Sequence, residues 1–214
     1  MSLLPNSLDL QLPHPSTYSI LKRLVDIVGS LVGLLFLALV FIPITIAIKL
    51  DSEGPIFYTQ KRYGLRGCPF QIWKFRSMVR NADKLRTQVA NEASGLVFKN
   101  KQDPRVTRVG CFLRKTSLDE LPQFWNVLVG EMSLVGTRPP TADEVIQYSE
   151  RHWQRLNVKP GMTGEWQVNG RSAVKDFEKI VDLDLRYQTQ WNLIYDLRII
   201  LKTFYVIFDR TSAY

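Results

Sequence analysis

The dominant pattern in the chain is a run of 22 residues without a charge, from Ile27 to Ile48. As a helix it would extend about 33 Å, close to the ~30 Å thickness of a bilayer's hydrocarbon core. A buried helix of a soluble domain is rarely so long and so apolar. A cleaved signal peptide fits poorly, because the run begins well in from Met1 and no small-residue cleavage site precedes Lys49. A single membrane-spanning anchor is the simplest reading, but two features favour a re-entrant helix hairpin. Lys22 and Arg23 precede the run, and Lys49, Lys61, Arg62 and Arg66 follow it, so charge gives no spanning direction. Pro43 interrupts the run, lacking an N–H and crowding the preceding turn. A helix bent there enters and leaves by one face, with its freed backbone groups satisfied internally. Gly29 and Gly33 have the spacing of a close helix contact, which ordinary packing explains equally well.

Elsewhere the periodicity changes. Residues 1–19, rich in Pro, Ser and Leu, read as an irregular arm, with a helix starting near Tyr18. Ile56 to Lys61 and Phe70 to Lys74 read as strands, and Gly64 and Gly67 mark the turn between them. Helices are expected over about Asn81 to Ala90, Leu118 to Val129, Ala142 to Leu156, Ala173 to Gln188 and Asn192 to Phe208. Ser94 to Arg108 reads as a loop with a turn at Asp103-Pro104, and Glu165 to Val168 as a short strand between Pro160-Gly161 and Asn169-Gly170. In the last helix Leu193, Leu197, Ile200, Leu201, Phe204, Tyr205 and Phe208 share helical spacing, while Arg198 and Lys202 hold the remaining side. It fits a core helix or an interfacial one equally, and Trp191, Tyr195 and Tyr205 are expected as an exposed aromatic set under either view. The fold class is α+β, mostly helical. It combines an N-terminal re-entrant membrane hairpin over 20–50, a small β-hairpin and amphipathic interfacial helices within 51–209, and a tail over 210–214.

Composition narrows the chemistry. With 214 residues, 45% of them hydrophobic, the chain suits one domain. The net charge of +8 suits anionic partners without choosing among nucleic acid, acidic lipid and phosphorylated substrates. Cys68 and Cys111 share no motif, and His14 and His152 lack metal-ligand spacing. The glycines between Gly161 and Arg171 do not have the spacing of a Walker loop or a dinucleotide fingerprint.

The stretch Lys99 to Lys115 holds six Lys/Arg and one acid, Asp103, and leads directly to Asp119-Glu120. Cations beside paired carboxylates suggest a phosphate site, since Arg and Lys hold phosphate oxygens and carboxylates bind Mg²⁺ or attack phosphorus. Against this, Ser117-x-x-Glu120 has the form of a capping box, and acids suit a first helical turn. On local grounds capping leads, although Pro122 fits better if the helix starts at or after Asp119. Lys74 to Met78 alternates basic and apolar residues, and Gly136-Thr137-Arg138-Pro139-Pro140 is a rigid loop presenting one arginine.

Taken in order, these segments resemble the bacterial sugar transferases, the small monotopic phosphoglycosyl transferases. The resemblance runs over about residues 20–209, through Lys22 to Asp26, Gly54 to Gln60, Lys74 to Met78, Asp103 to Arg108, Leu113 to Gln123, Gly130 to Pro139, Val158 to Arg171 and Asp196 to Arg198. It implies that Asp119 is a nucleophile attacking the sugar-bearing phosphate of a UDP-sugar, releasing UMP. Polyprenyl (undecaprenyl) phosphate then accepts the phosphosugar from the carboxylate, as the first membrane step of glycan synthesis. It implies Glu120 as the second acid, linked with Asp119 to Mg²⁺ and to acid–base work. Arg114 and Arg138 match phosphate-binding arginines, and Lys74 and Arg76 a basic pair near the donor. The implied partners are the UDP-sugar, polyprenyl phosphate and membrane lipid, not nucleic acid, and a homo-oligomer is left open. The implied setting is the cytoplasmic face of the bacterial inner membrane. Two departures stand out: Pro43 lies nearer the end of the apolar run than the family's proline, and Cys111 occupies a position where a basic residue is common. The alternative from another class is a membrane-anchored basic protein that binds acidic lipid or nucleic acid without catalysis.

Overall fold

A computed structural model of the protein describes residues 12–98, 100, 102–170, 174 and 176–208, apart from the side chains of Ile207 and Phe208. Most of the N-terminal arm, Lys99 and Lys101 of the basic run, Ala173, Arg171 and the 210–214 tail lie outside the described residues. Within the arm, Pro15–Tyr18 forms one helical turn, α1, opened by His14.

The apolar run lies in α2, Ile20–Asp51, whose first turn is capped by Ser19. At 32 residues the helix is about 48 Å long. It continues through Pro43 without a break, so two separate helical arms are not seen. Proline removes only its own N–H from the ladder, and the next turns are held by packing of Ile44 and Ile48 against Phe75 and Leu113. The helix has two unlike faces. Leu21, Leu24, Val28, Leu31, Leu35, Leu39, Ile42, Ile46 and Leu50 form an exposed apolar stripe along its whole length. The opposite face meets the rest of the protein at both ends. Lys22 Nζ lies 2.6 Å from Asp196 Oδ2, and Asp26 Oδ1 accepts from Ser133 Oγ and Leu134 N at 2.9 Å each. At the far end Asp51 Oδ2 accepts from Val109 N at 3.0 Å. Gly33 faces the Phe124 ring so closely that a β-carbon there would stand 2.4 Å from it.

The expected β-hairpin is present. Strands β1 (Phe57–Tyr63) and β2 (Pro69–Phe75) are antiparallel, with Tyr58 opposite Lys74 and Arg62 opposite Phe70. The turn uses positive φ at Arg66 (52°) and Gly67 (71°). A second, parallel pair joins β3 (Ser133–Val135) to β4 (Gly161–Thr163). The strand expected over Glu165 to Val168 is instead a helical turn, α7. The true strand lies just before it, where backbones cross so closely that a β-carbon on Gly161 would stand 2.1 Å from Gly136 N.

The helices differ from expectation where caps intervene. Residues Arg108–Lys115, read as part of a basic run, form α3, capped by Thr107. The segment read as a helix from Asn81 is a 3₁₀ turn over Ala82–Gln88. In place of one helix over Ala142 to Leu156 there are α5 (Ala142–Val145), α6 (Glu150–Trp153) and a 3₁₀ turn. Thr141 and Ser149 each open their own capping box from extended backbone, and the second box ends the first helix. Helices α8 (Phe177–Gln190) and α9 (Leu193–Phe208) complete the fold. Ile199 of α9 is buried against Val135, Val158 and Tyr187, while Ile194, Leu197, Leu201, Phe204 and Tyr205 form an exposed apolar face. Of the aromatic set expected on the surface, only Tyr205 is exposed. Trp191 donates to buried Asp196 at 3.1 Å, and Tyr195 stacks on Tyr187 with centroids 6.2 Å apart.

Candidate active site around Asp119

The carboxylate pair sits in a turn that no capping box explains. Ser117 has left-handed backbone (φ 56°, ψ 16°) and makes no capping hydrogen bond through its side chain. A helix N-cap ordinarily has extended backbone, so the Ser-x-x-Glu pattern is not a cap here. Leu118–Glu120 forms a 3₁₀ turn, and α4 (Gln123–Val129) starts only after Pro122. A non-glycine residue at positive φ is strained by about 1–3 kcal/mol and survives where its surroundings hold it. The turn packs between β2 and α3.

Asp119 is buried, with 6% of its surface exposed. Glu120 Oε1 accepts from Lys74 Nζ at 2.7 Å, with a quarter of each side chain open to solvent. From α3, Arg114 donates through Nε to Ser77 Oγ at 2.9 Å, which fixes the plane of its guanidinium. Ser77 lies two residues beyond the end of β2, so Lys74, Glu120, Asp119 and Arg114 gather at one end of the hairpin. Gly110 makes this approach feasible, since its position leaves no room for a β-carbon beside Ser77 O.

The other two predicted arginines are elsewhere. Arg76 turns away to the end of α2, donating through Nη2 to Ser52 O at 2.6 Å and Ile48 O at 3.3 Å. Burial lowers its pKa, opposed by Asp51, and Nε and Nη1 have no hydrogen-bond partner among the described residues. Arg138 binds Glu144 through both terminal nitrogens, at 2.8 and 3.0 Å. Burial pulls its pKa down, but the Glu144 carboxylate more than offsets this and the net shift is upward.

Sequence reasoning missed the residues that organise the Arg138 loop. Arg62 Nη1 donates to Pro139 O at 2.9 Å and Nη2 to Gln60 Oε1 at 2.7 Å. Burial, then repulsion from Arg138, pushes its pKa down to about 10. Fully buried Arg155 donates through Nε to Asp184 at 2.7 Å, bonds the Tyr148 hydroxyl, and accepts Thr137 Oγ1 at its own carbonyl at 3.0 Å. Arg62 was discoverable, because it shares the alternating face of β1 with Tyr58, which lies opposite Lys74. Arg62 lies four positions along the strand from Tyr58, so Lys74 and Arg62 lie about 13 Å apart along one face. Asp103-Pro104-Arg105 is an internal brace: Arg105 binds Asp103 at 2.6 Å, which holds the Asp103 carboxyl below its usual range.

The arrangement offers a buried carboxylate, a neighbouring carboxylate paired to a cation, and an arginine with its terminal nitrogens aimed at no acceptor among the described residues. No three His, Cys, Asp or Glu residues gather as a metal cage among the described residues. Two adjacent carboxylates nonetheless suit Mg²⁺, which is commonly held by one or two carboxylates together with substrate phosphates. A groove of about 660 Å³ on the other face of the hairpin, lined by Lys61, Gln71, Trp73 and Trp125, contains none of these groups.

One long apolar helix, paired carboxylates and clustered cations are thus brought together in a single body. The bacterial sugar transferase family model matches residues 17–210, and the chain belongs to that family. It is 46% identical over 199 residues to the galactosyl transferase CpsE of Streptococcus agalactiae, covering 92% of this chain and 44% of the relative. Over 210 residues it is 43% identical to the UDP-glucose:undecaprenyl-phosphate glucose-1-phosphate transferase of Escherichia coli, covering 94% and 43%. The chain thus spans less than half the length of these relatives. The exopolysaccharide production protein ExoY of Sinorhizobium fredii, 39% identical over 188 residues, is matched over 83% of its length.

Proposed function

We propose that this chain transfers a sugar-1-phosphate from a UDP-sugar to polyprenyl phosphate, opening the assembly of a surface glycan. The observation that carries this is buried Asp119 beside the Lys74–Glu120 pair, in a strained turn with no capping role. The name of the Escherichia coli relative gives a donor and an acceptor of the same classes, UDP-glucose and undecaprenyl phosphate.

In the proposed reaction an Asp119 oxygen attacks the sugar-bearing phosphorus, and the bond from that phosphorus to the UMP oxygen breaks. An oxygen of polyprenyl phosphate then attacks the same phosphorus and displaces Asp119, giving a polyprenyl diphosphate sugar. Splitting the transfer in this way replaces one hard step with two easier ones. Lys74 and Arg114 neutralise phosphate oxygens, the chief demand of phosphoryl transfer. Arg138, ordered by Glu144, takes a more distant anionic part of the donor. Asp119 and Glu120 would hold Mg²⁺, which supplies charge neutralisation on the diphosphate.

The setting we propose is monotopic, on the cytoplasmic face of the inner membrane. Both ends of α2 bond to the same body, which disfavours placing them on opposite sides of a bilayer. The exposed stripes of α2 and α9 would face the lipid, α9 lying in the interface, and a bend of α2 at Pro43 within the bilayer would make it re-entrant. Cysteine labels near Ser19 and Ser52 should then both react only from the cytoplasmic side, and labelling from opposite sides would establish a span instead.

The deciding experiment is a panel of UDP-sugars assayed for UMP release with polyprenyl phosphate, followed by mass spectrometry of the protein. An accepted donor should leave a phosphosugar adduct on Asp119. An accepted donor that leaves no adduct under single-turnover conditions would remove the covalent step.

A further inference from the structure

A second basic pocket lies at the opposite end of α4 from Asp119, where α2 begins. It has a volume of about 400 Å³ and is lined by Tyr18, Ile20, Leu24, Arg23, Asp26 and Lys159, among others. Its remaining cation, Lys22, is paired with Asp196, and Asp26 is engaged by Ser133 and Leu134. Arg23 donates to Val127 O at 2.8 Å and Leu128 O at 2.6 Å, which orients its guanidinium on the last carbonyls of α4 and leaves its charge in place. Lys159 Nζ has no hydrogen-bond acceptor among the described residues. The two cations converge beside Gly130 (φ 89°): Lys159 Nζ and Arg23 Nη2 stand 3.5 and 3.6 Å from the point a β-carbon would occupy. Burial lowers the Lys159 pKa and Arg23 lowers it further, with Asp26 opposing.

Two converging cations, half withdrawn from water, gain by sharing an oxyanion. An ammonium beside a guanidinium is a donor set suited to phosphate. The rim indicates where that phosphate comes from. Tyr18, Ile20 and Leu24 are 65%, 77% and 51% exposed and lie where the apolar stripe of α2 begins. A phosphate seated between Arg23 and Lys159 would therefore extend an attached acyl tail along Ile20 and Leu24. We propose that Arg23 and Lys159 form a binding site for the phosphate of an anionic phospholipid headgroup, at the point where α2 meets the bilayer surface. The site rests on membrane association and not on any reaction at Asp119.

The test is native mass spectrometry of the full chain, released from nanodiscs of phosphatidylglycerol mixed with phosphatidylcholine, with no sugar donor present. Wild-type protein should retain phosphatidylglycerol in preference. Lys159→Gln should reduce that preference about fivefold, the usual effect of one basic residue at an anionic surface. Lys159 is the residue to change because Arg23 also caps α4. Lys61→Gln, an exposed lysine on the hairpin, should leave the preference intact. Equal retention of both lipids, or an unchanged preference in Lys159→Gln, would overturn the site. Loss of the wild-type preference in millimolar inorganic phosphate, without loss in equimolar chloride, would make it a free-phosphate site and overturn the lipid assignment. UMP release is not read, so failure here leaves the transferase reading untouched.

Discussion

Lys22 and Asp196 meet at 2.6 Å with 6% and 2% of their side chains exposed, tying the first turn of α2 to α9. The contact is part of a closed polar knot. Lys22 also reaches Val135 O at 3.0 Å, and Asp196 takes Tyr187 and Trp191. The two segments that resembled family motifs, Lys22 to Asp26 and Asp196 to Arg198, thus serve first to fix the two helices that carry exposed apolar stripes.

This knot predicts an asymmetry in stability. Removing one partner of a buried ion pair strands the other and costs about 3–5 kcal/mol, whereas replacing both with apolar groups is often neutral. Asp196→Ala should lower unfolding stability in detergent by that order, read from urea titration. The double variant Lys22→Met/Asp196→Leu should recover most of the loss. A double variant no more stable than the single would show that the pair is not the source.

At the candidate site the carboxylates should separate by role. Asp119→Asn is expected to abolish UMP release, by about a thousandfold or more, with little change in thermal stability. Arg114→Ala, which removes a cation aimed at developing charge, should lower kcat by about a hundredfold to a thousandfold. Lys74→Ala should act on kcat and on donor KM together, because it also removes the ammonium that Glu120 accepts from. Turnover by Asp119→Asn near the wild-type rate would sink the nucleophile assignment.

Glu144 supplies a pH signature. Burial raises its pKa, but Arg138 outweighs burial and Arg62 and Arg155 add to it, so the carboxyl sits below its ordinary value. A depressed carboxyl pKa contributes stability above the unfolded value, about 4.3 for Glu, and that contribution is lost as pH falls through the folded value. The wild-type Tm should therefore decline as pH drops below about 4.3. Glu144→Gln should be less stable at pH 7 and show a shallower decline over the acid range. Parallel curves for the two proteins would dismiss Glu144 as the titrating group.

Local signals carried part of this far. Period-two alternation was enough for the hairpin, and an uncharged run was enough for α2. Asp119 and Glu120 stood out through the basic run before them, although Ser117 mimicked a cap. What local pattern could not supply was tertiary competition. Arg76 and Arg138 were both expected to meet the donor, yet one ends on carbonyls at the end of α2 and the other on Glu144. Helix α3 was hidden because its apolar contacts lie on elements distant in sequence: Leu113 packs on Phe75 and Ile48. Tight crossings such as Gly136 against Gly161 were legible only as glycines, not as partners.

Gly110 tests whether the close approach of α3 to β2 is what places Arg114. A β-carbon at this position would overlap Ser77 O outright, and backbone cannot swing aside as a side chain can. Overpacking typically costs about 1–3 kcal/mol and is relieved by shifts of backbone. Alanine is the better helix former of the two, by about 1 kcal/mol, so local propensity works against any loss. The shift would move Arg114 away from Ser77 Oγ and from the turn that carries Asp119. Gly110→Ala should therefore lower both Tm and kcat, whereas Ser77→Ala, which removes only the hydroxyl, should lower kcat with little change in Tm. If Gly110→Ala unfolds like wild type and turns over like wild type, then the packing of α3 on β2 does not set the geometry of the site.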